Sequence, residues 1–508
     1  MWNNLPTEQR DRYKKLITNF ASLSEAFAQK ESEDDAIVAP IINSKFQETA
    51  FQYSFNANAE DIGNTSYDAS IDEGNKKYLV GIKTFGVTSK NQKIAQFKAI
   101  SPNWSNILNE IKDNASTLTT KDEINQKNEH LYLELAKNIA EVRNLRIKSS
   151  EENLRGFKLE DSDQLAEVEA VYHVLMPSPK NVEPKIAVGE TTYTPIDIDN
   201  ITVSGKGLGC TKVQNPTNFK FSDGRHVYKY TSSDSQLYMS FDNSNIVLEK
   251  WPVVYVQDAI SIFEHLHDHK PKSKVKPLET HSMRIKIEKY SGFNAFYGQS
   301  KMGRKNNNRE KFVARLKDKY KDQLTTQQID YIFPRLEKIL YTRWSTNKLK
   351  DQMVPLRKEL LDYILPINKD LYNEVERNVY RTMNEFELRI PKSRAFHTKY
   401  PNFFVKKDPF SKDKTDRTFT LRFLPSETTL PAYIGEDNCK AIKSDKAEKY
   451  LGSWVRKDVF QLKDREILTE EKAQALGING FRLSKYKDYI TLEFIWIDPN
   501  DEPDDLWE

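Results

Sequence analysis

The sequence predicts a multidomain α+β protein, on three observations. Its 508 residues supply about two to four domains of ordinary size. Some stretches repeat apolar residues at helical spacing, and others alternate with a period of two. Residues 384–497 are dense in short strands joined by turn residues.

Taken in chain order, residues 1–60 read as helices. Leu16, Phe20, Leu23 and Phe27 form one stripe, and Phe46, Ala50, Phe51 and Phe55 form a second. Residues 66–85 switch to period two and predict a hairpin. Four segments between 90 and 175 predict helices: KNQKIAQFKAI, NWSNILNEIK, LYLELAKNIAEVRNL and AEVEAVYHVL. Residues 185–256 predict strands, with Asp223-Gly224 as the turn inside NFKFSDGRHVYKY. The Pro/Lys-rich stretch 267–281 reads as a linker, and the nearby His265, His267 and His269 as part of that polar surface. Residues 309–385 read as charged helices. From Phe386 onward the strands FELRI, TFTLRFL, PAYIG and YITLEFIWI appear. A short helix there starts at Thr469 as N-cap and stops at Gly477.

Composition narrows the function. No stretch approaches the roughly 18 apolar residues that span a bilayer, and the N-terminus has no apolar signal-peptide region. The two cysteines, Cys210 and Cys439, are far apart, which excludes a zinc motif or disulfide framework and predicts a cytoplasmic location. No phosphate-binding GxxxxGK[ST] loop occurs. Charge is unevenly placed. Residues 1–250 carry 29 Lys+Arg against 35 Asp+Glu, whereas residues 301–350 carry 14 against 5. The last sixteen residues hold seven acids and no base. A basic region of this kind predicts a polyanion partner.

One constellation carries chemistry. In SYDASIDEGNKKYLVGIKTFG (66–86), Tyr67, Ala69 and Ile71 alternate with Asp68, Ser70 and Asp72, and the turn falls at 72–75. In the second strand Val80 and Ile82 face the core, while Leu79, Gly81 and Lys83 face the opposite way. Asp68 and Lys83 then project from one side of the hairpin, with Glu48 on a helix upstream. A carboxylate that binds Mg²⁺ beside a lysine suits phosphodiester hydrolysis.

These residues resemble the PD-(D/E)XK nuclease signature, an Asp on one strand followed by acid-x-Lys on the next. The resemblance implies an α/β nuclease core with Asp68, Lys83 and Glu48 catalytic. It implies Mg²⁺ as cofactor, held by Asp68, Glu48 and the backbone carbonyl of Ile82. Gly81 stands where the family has its second acid, so Glu48 or Asp72 would have to take over.

The strand-rich C-terminal region resembles the B-three-like pseudobarrel shared by plant auxin-response-type factors and several restriction enzymes. The carrying segments are ELRIP, FHTKYPNFF, the turn DNCKAI, LGSWVRKDVF and LGINGFRL. The resemblance implies two DNA-reading arms. One is Arg389, Lys392, Ser393, Arg394 and His397; the other is Asp437, Asn438, Lys440 and Ser444. Arg and Lys read guanine, Asn reads adenine, and Lys and Ser hold phosphates.

Together these resemblances imply a bacterial type II restriction endonuclease. The expected domains are a nuclease domain at 1–255, a helical basic connecting region at 256–379, and a pseudobarrel at 380–508 whose acidic tail is dispensable for sequence specificity. The expected partner is double-stranded DNA, with a possible homodimer and a companion DNA methyltransferase in the same cell. The alternative is a non-catalytic DNA-binding protein on a degenerate nuclease scaffold, kept alive by Gly81.

Overall fold

A computed structural model describes residues 1–27, 37–59, 67–160, 164–257, 259–264, 276–290, 292–293, 300–382, 386–405, 408–446 and 448–508. His265, His267 and His269, and most of the expected linker, lie outside the described residues. The protein is mixed α+β. By proximity the chain forms two compact units. The first is 1–282 with 421–429 and 473–506; the second is 283–420 with 430–472 and 507–508.

The first unit is built on a six-stranded sheet of order β1-β2-β3-β5-β6-β11. Its strands are β1 (Asn58–Ala59), β2 (Ala69–Glu73), β3 (Lys76–Thr84), β5 (Glu167–Pro177), β6 (Lys185–Thr192) and β11 (Val247–Pro252). β2 and β3 form the hairpin expected from the sequence, with Glu73 opposite Lys76. The turn is Gly74-Asn75, tighter than the four residues expected. Gly74 supplies the positive φ of 61° that a two-residue hairpin loop needs at its first central position.

β3 runs parallel to β5 and every other pairing in this sheet is antiparallel. Between β3 and β5 the chain forms β4 (Gln92–Gln96) and two further helices. These are α4 (Ser105–Ala115) and the long α5 (Lys121–Arg155), which opens on a Thr120/Glu123 capping box. Helices α1 (Thr7–Ala21) and α3 (Ser44–Phe55) cover one face of the sheet, and α2 (Ser24–Phe27) and α6 (Ala259–Glu264) are short.

Both faces of this sheet are buried, which corrects the one-sided hairpin read from the sequence. Ala69, Ile71, Tyr78, Val80 and Ile82 join Val171 and Leu175 in the core under α1 and α3. Leu79 joins Tyr172, Val174 and Met176 in a second core with α4 and α5. Tyr67, which precedes the strand, packs into that second core rather than beside Ala69 and Ile71. Burial on both faces also explains why AEVEAVYHVL is strand β5 and not a helix. A central strand covered on both sides reads as a continuous apolar run, and its Val-rich composition favours the sheet. KNQKIAQ is likewise a strand, because β4 pairs with β10 in a separate five-stranded sheet of order β4-β10-β9-β8-β7. The other strands there are β7 (Gly209–Lys212), β8 (Asn215–Ser222), β9 (Val227–Thr231) and β10 (Gln236–Met239). In α1 the buried stripe is Tyr13, Ile17 and Ala21, one position round from the expected one, and Phe27 is exposed.

A curled seven-stranded half-barrel sheet has the order β12-β19-β20-β16-β17-β18-β15. It comprises β12 (Glu279–Arg284), β15 (Leu388–Arg389), β16 (Thr418–Leu424), β17 (Thr429–Gly435), β18 (Ala441–Ser444), β19 (Gly480–Lys485) and β20 (Ile490–Ile495). β16 and β20 are parallel. The small pair β13 (Ile287–Glu288) and β14 (Gly292–Phe293) stands apart. Four helices of the second unit share their own core: α7 (Asn308–Tyr320), α8 (Thr326–Tyr341), α9 (Asn347–Ile364) and α10 (Lys369–Val379). The short helices α11 (Ser393–Lys399), α12 (Glu448–Ser453) and α13 (Glu470–Leu476) lie among the strands in sequence, and Thr469 caps α13 as expected.

The acidic tail is held by contacts within each unit. In the first unit the Ser282 N–H donates to the Asp505 carbonyl at 3.0 Å, and Arg482 Nε lies 3.6 Å from the Asp505 carboxylate. In the second, Trp507 packs edge-on against Phe396 and donates its indole N–H to the Pro391 carbonyl.

Candidate active site on the β2–β3 hairpin

Asp68 stands where the chain enters β2. The register would place it opposite Gly81, but its N–H donates to the Val80 carbonyl, so the ladder breaks at this residue. The break frees its carboxylate to turn along β3. Oδ2 accepts the Ile82 N–H at 2.6 Å and lies 3.3 Å from Lys83 Nζ. The sequence-predicted pair is therefore brought together. Among the described residues, Oδ1 takes no hydrogen bond.

Burial pushes the Asp68 carboxyl above the usual carboxylate range. The Lys83 ammonium and the Ile82 N–H pull it back, and the Glu48 charge adds to the rise. Glu48 lies on α3, close enough for its charge to act on Asp68, and it also pairs with Lys45 at 2.8 Å. A strand residue points its N–H and C=O to the same side. The Ile82 carbonyl is thus directed to the side where its N–H meets Asp68. Two carboxylates and a carbonyl make an all-oxygen donor set of the kind Mg²⁺ takes. The strand position that would add a third carboxylate is Gly81, opposite Tyr172 of β5. Among the described residues no three His, Cys, Asp or Glu side chains converge as a metal site. Asp72, the other acid weighed, pairs with Lys77 at 3.6 Å.

Sequence reasoning missed Gln47 and Thr84. Gln47 is wholly buried on α3 and accepts a hydrogen bond from the Thr84 hydroxyl. It ties the residue before Glu48 to the residue after Lys83. The signal was present: Gln47, Phe51 and Ser54 share a buried face at i, i+4 and i+7.

The two expected DNA arms lie side by side in the second unit. Arg389 on β15 is opposite Ala441 on β18, and the Ile390 N–H donates to the Lys440 carbonyl at 2.8 Å. Arg389, Lys392, Arg394, Asp437 and Asn438 are exposed, and Lys440 is half-buried. His397, Ser393 and Ser444 are buried. His397 Nε2 donates to the Cys439 carbonyl at 2.9 Å, so it holds the 437–440 turn from beneath. That turn carries positive φ at Glu436, Asn438 and Cys439. Acids accompany the bases: Arg389 faces Glu387 at 3.8 Å, and Lys440 faces Asp437 at 3.5 Å. Lys443 sits between Glu387 and Glu436; burial opposes its charge, but the two carboxylates prevail and raise its pKa.

No family model matches the chain, and a search of curated proteins finds no relative. Among the described residues no helix is long and apolar enough to cross a membrane. Cys210 and Cys439 are both buried and free.

Proposed function

We propose that the protein is a Mg²⁺-dependent endodeoxyribonuclease of the type II restriction class. It cuts double-stranded DNA at or near a short sequence. The observation that carries this reading is the Asp68–Lys83 pair on the β2–β3 hairpin, with the Glu48 charge acting on the same carboxylate. The order helix, antiparallel hairpin, helical crossover and parallel strand supports a PD-(D/E)XK core. The curled C-terminal sheet supports a B-three-like pseudobarrel, with Arg389, Lys392, Arg394, Asn438 and Lys440 as its reading residues. The proposal includes a cytoplasmic location, a companion methyltransferase that protects the cell's own sites, and a possible homodimer.

In this mechanism Asp68, Glu48 and the Ile82 carbonyl would hold Mg²⁺. When bound, the ion neutralises charge on the scissile phosphate and lowers the pKa of a coordinated water. The Ile82 N–H fixes Oδ2 of Asp68 and leaves Oδ1 for the ion. Lys83, beside the carboxylate, offers a positive charge to the phosphoryl oxygens as charge develops. Gln47 and Thr84 hold α3 against β3, which keeps Glu48 in range.

The test is incubation of the full chain with several viral genomes and Mg²⁺, with EDTA as control. Discrete fragments are expected only with the metal. Gly81 favours one other reading, a DNA-binding protein without cleavage. Retention of duplex in gel shifts with no fragments under any divalent metal would establish it.

A further inference from the structure

The second unit carries a second basic surface, away in sequence from the expected reading arms, at one end of its helical core. α7 and α8 run antiparallel, so the start of α7 meets the end of α8. Buried Arg309 donates to the Leu340 and Met302 carbonyls, and Arg304 donates to the carbonyls of Tyr341 and Thr342. The Lys301 N–H donates to the Tyr380 carbonyl just past α10. This lacing gathers Lys301, Lys305, Lys311, Lys338, Arg343 and Lys348, all exposed, at that end.

Ion pairing differs sharply along α7. Toward its C-terminus Arg315 and Lys319 pair with Glu374, Lys317 with Glu337, and Lys321 with Asp318. At the other end, among the described residues, none of the six gathered cations has an acidic partner. Arg304 and Arg309 already serve the α8 carbonyls, which is what a helix C-terminus requires. Glu310 and Glu337 also lie near this end and offset part of the charge, but six cations against two acids leave net repulsion in the folded chain. Such a cost is offset when a polyanion lies across them.

The geometry points to a phosphate-backbone contact surface for duplex DNA formed by the start of α7, the end of α8 and the start of α9. It rests on the DNA reading above and adds a sequence-independent contact that holds the duplex while other residues read it.

The experiment uses the full chain, a random-sequence duplex and EDTA, so that no cleavage intervenes. Binding is measured across a salt series for wild type, for the triple variant Lys305→Gln/Lys311→Gln/Arg343→Gln, and for a control triple Lys112→Gln/Lys127→Gln/Lys137→Gln. The control residues are exposed on α4 and α5 and lower the net charge equally. The slope of log K against log salt falls by about 0.9 for each phosphate that is no longer neutralised, so by about 2–3 for the first triple, with the control near wild type. Thermal melts confirm that both triples fold. A first triple with the wild-type slope, or a control that shifts as much, overturns the surface while leaving the DNA reading standing. A wild type that binds no duplex, or only anionic lipid vesicles, overturns both.

Discussion

Lys83 Nζ lies 3.3 Å from Asp68 Oδ2 across the β2–β3 hairpin, and the same oxygen takes the Ile82 N–H at 2.6 Å. The pair is only partly open to solvent, with side-chain exposures of 22% and 27%. A carboxylate held by a single strong backbone donor, partly desolvated and next to another acid, is suited to a cation rather than to the fold.

Asp68→Asn and Lys83→Ala are each expected to lower cleavage by about two orders of magnitude or more, the scale of removing one preorganised electrostatic interaction. Duplex affinity in EDTA should stay near wild type. Single-turnover cleavage with gel shifts in parallel separates the two quantities. A variant that cuts at the wild-type rate removes that residue from the chemistry. Glu48→Gln should also reduce cleavage, and its defect should shrink as Mg²⁺ is raised if Glu48 holds the ion.

The hairpin was legible because Gly74 marks a turn between two short β-prone runs. Strand β5 was not, because burial on both faces erases alternation and leaves an apolar run that suits a helix equally well. β4 was hidden for another reason: its partner β10 lies about 140 residues away, and local pattern carries no information about such pairing. At the candidate site, Asp68 and Lys83 were readable from spacing. The turn of the Asp68 carboxylate toward Ile82 depends on a break in the ladder that no residue type announces. In the C-terminal arms the residue types were visible but their exposure was not. His397 looks like a contact residue in the sequence and serves as an internal prop in the fold. The contacts of Asp505 and Trp507 in the acidic tail were not legible either, because their partners Ser282 and Phe396 lie far away in the chain.

His173 should make the protein acid-sensitive. It lies on β5 opposite Ile82, fully buried and stacked on Trp2, and among the described residues neither ring nitrogen has a hydrogen-bond partner. Burial, and then the Met1 ammonium, lower its pKa to about 3. The folded state therefore keeps it neutral while the unfolded chain protonates it near 6.5. Its stabilising contribution is full above pH 6.5 and is lost as pH falls toward 3, at about 1.4 kcal/mol per pH unit. Urea midpoints at pH 7, 6 and 5 should fall less steeply in His173→Phe than in wild type. Equal slopes would show that other groups dominate acid unfolding.

Trp507→Ala should destabilise the second unit by about 2 kcal/mol, since removing a half-buried indole removes both its packing and its bond to the Pro391 carbonyl. The ring packing against Phe396 and Tyr400 disappears with it. Chemical denaturation of the full chain measures the change. Stability equal to wild type would show that these contacts contribute nothing to the fold.

Asp68→Asn should also separate activity from stability. Burial raises the Asp68 pKa in the folded state despite Lys83 and the Ile82 N–H. The fold thus holds a proton on this group more readily than the unfolded chain does. For an acid shifted upward, the favourable contribution is complete below the ordinary carboxylate pKa and disappears as pH rises through the folded value. Above the folded pKa the ionised carboxylate is a net cost to the fold, a cost that the proposed metal-binding role would account for. Asn is nearly isosteric and can still accept the Ile82 N–H, so the variant removes the cost without opening a cavity. Its Tm at pH 7.5 should equal or exceed that of wild type, and the difference should shrink toward pH 4 as the wild-type group protonates. Cleavage should be lost at every pH. Differential scanning calorimetry at the two pH values checks the sign. A clearly lowered Tm at pH 7.5 would mean that the Asp68–Lys83 pair is held for the fold, and the hairpin would no longer support a nuclease reading.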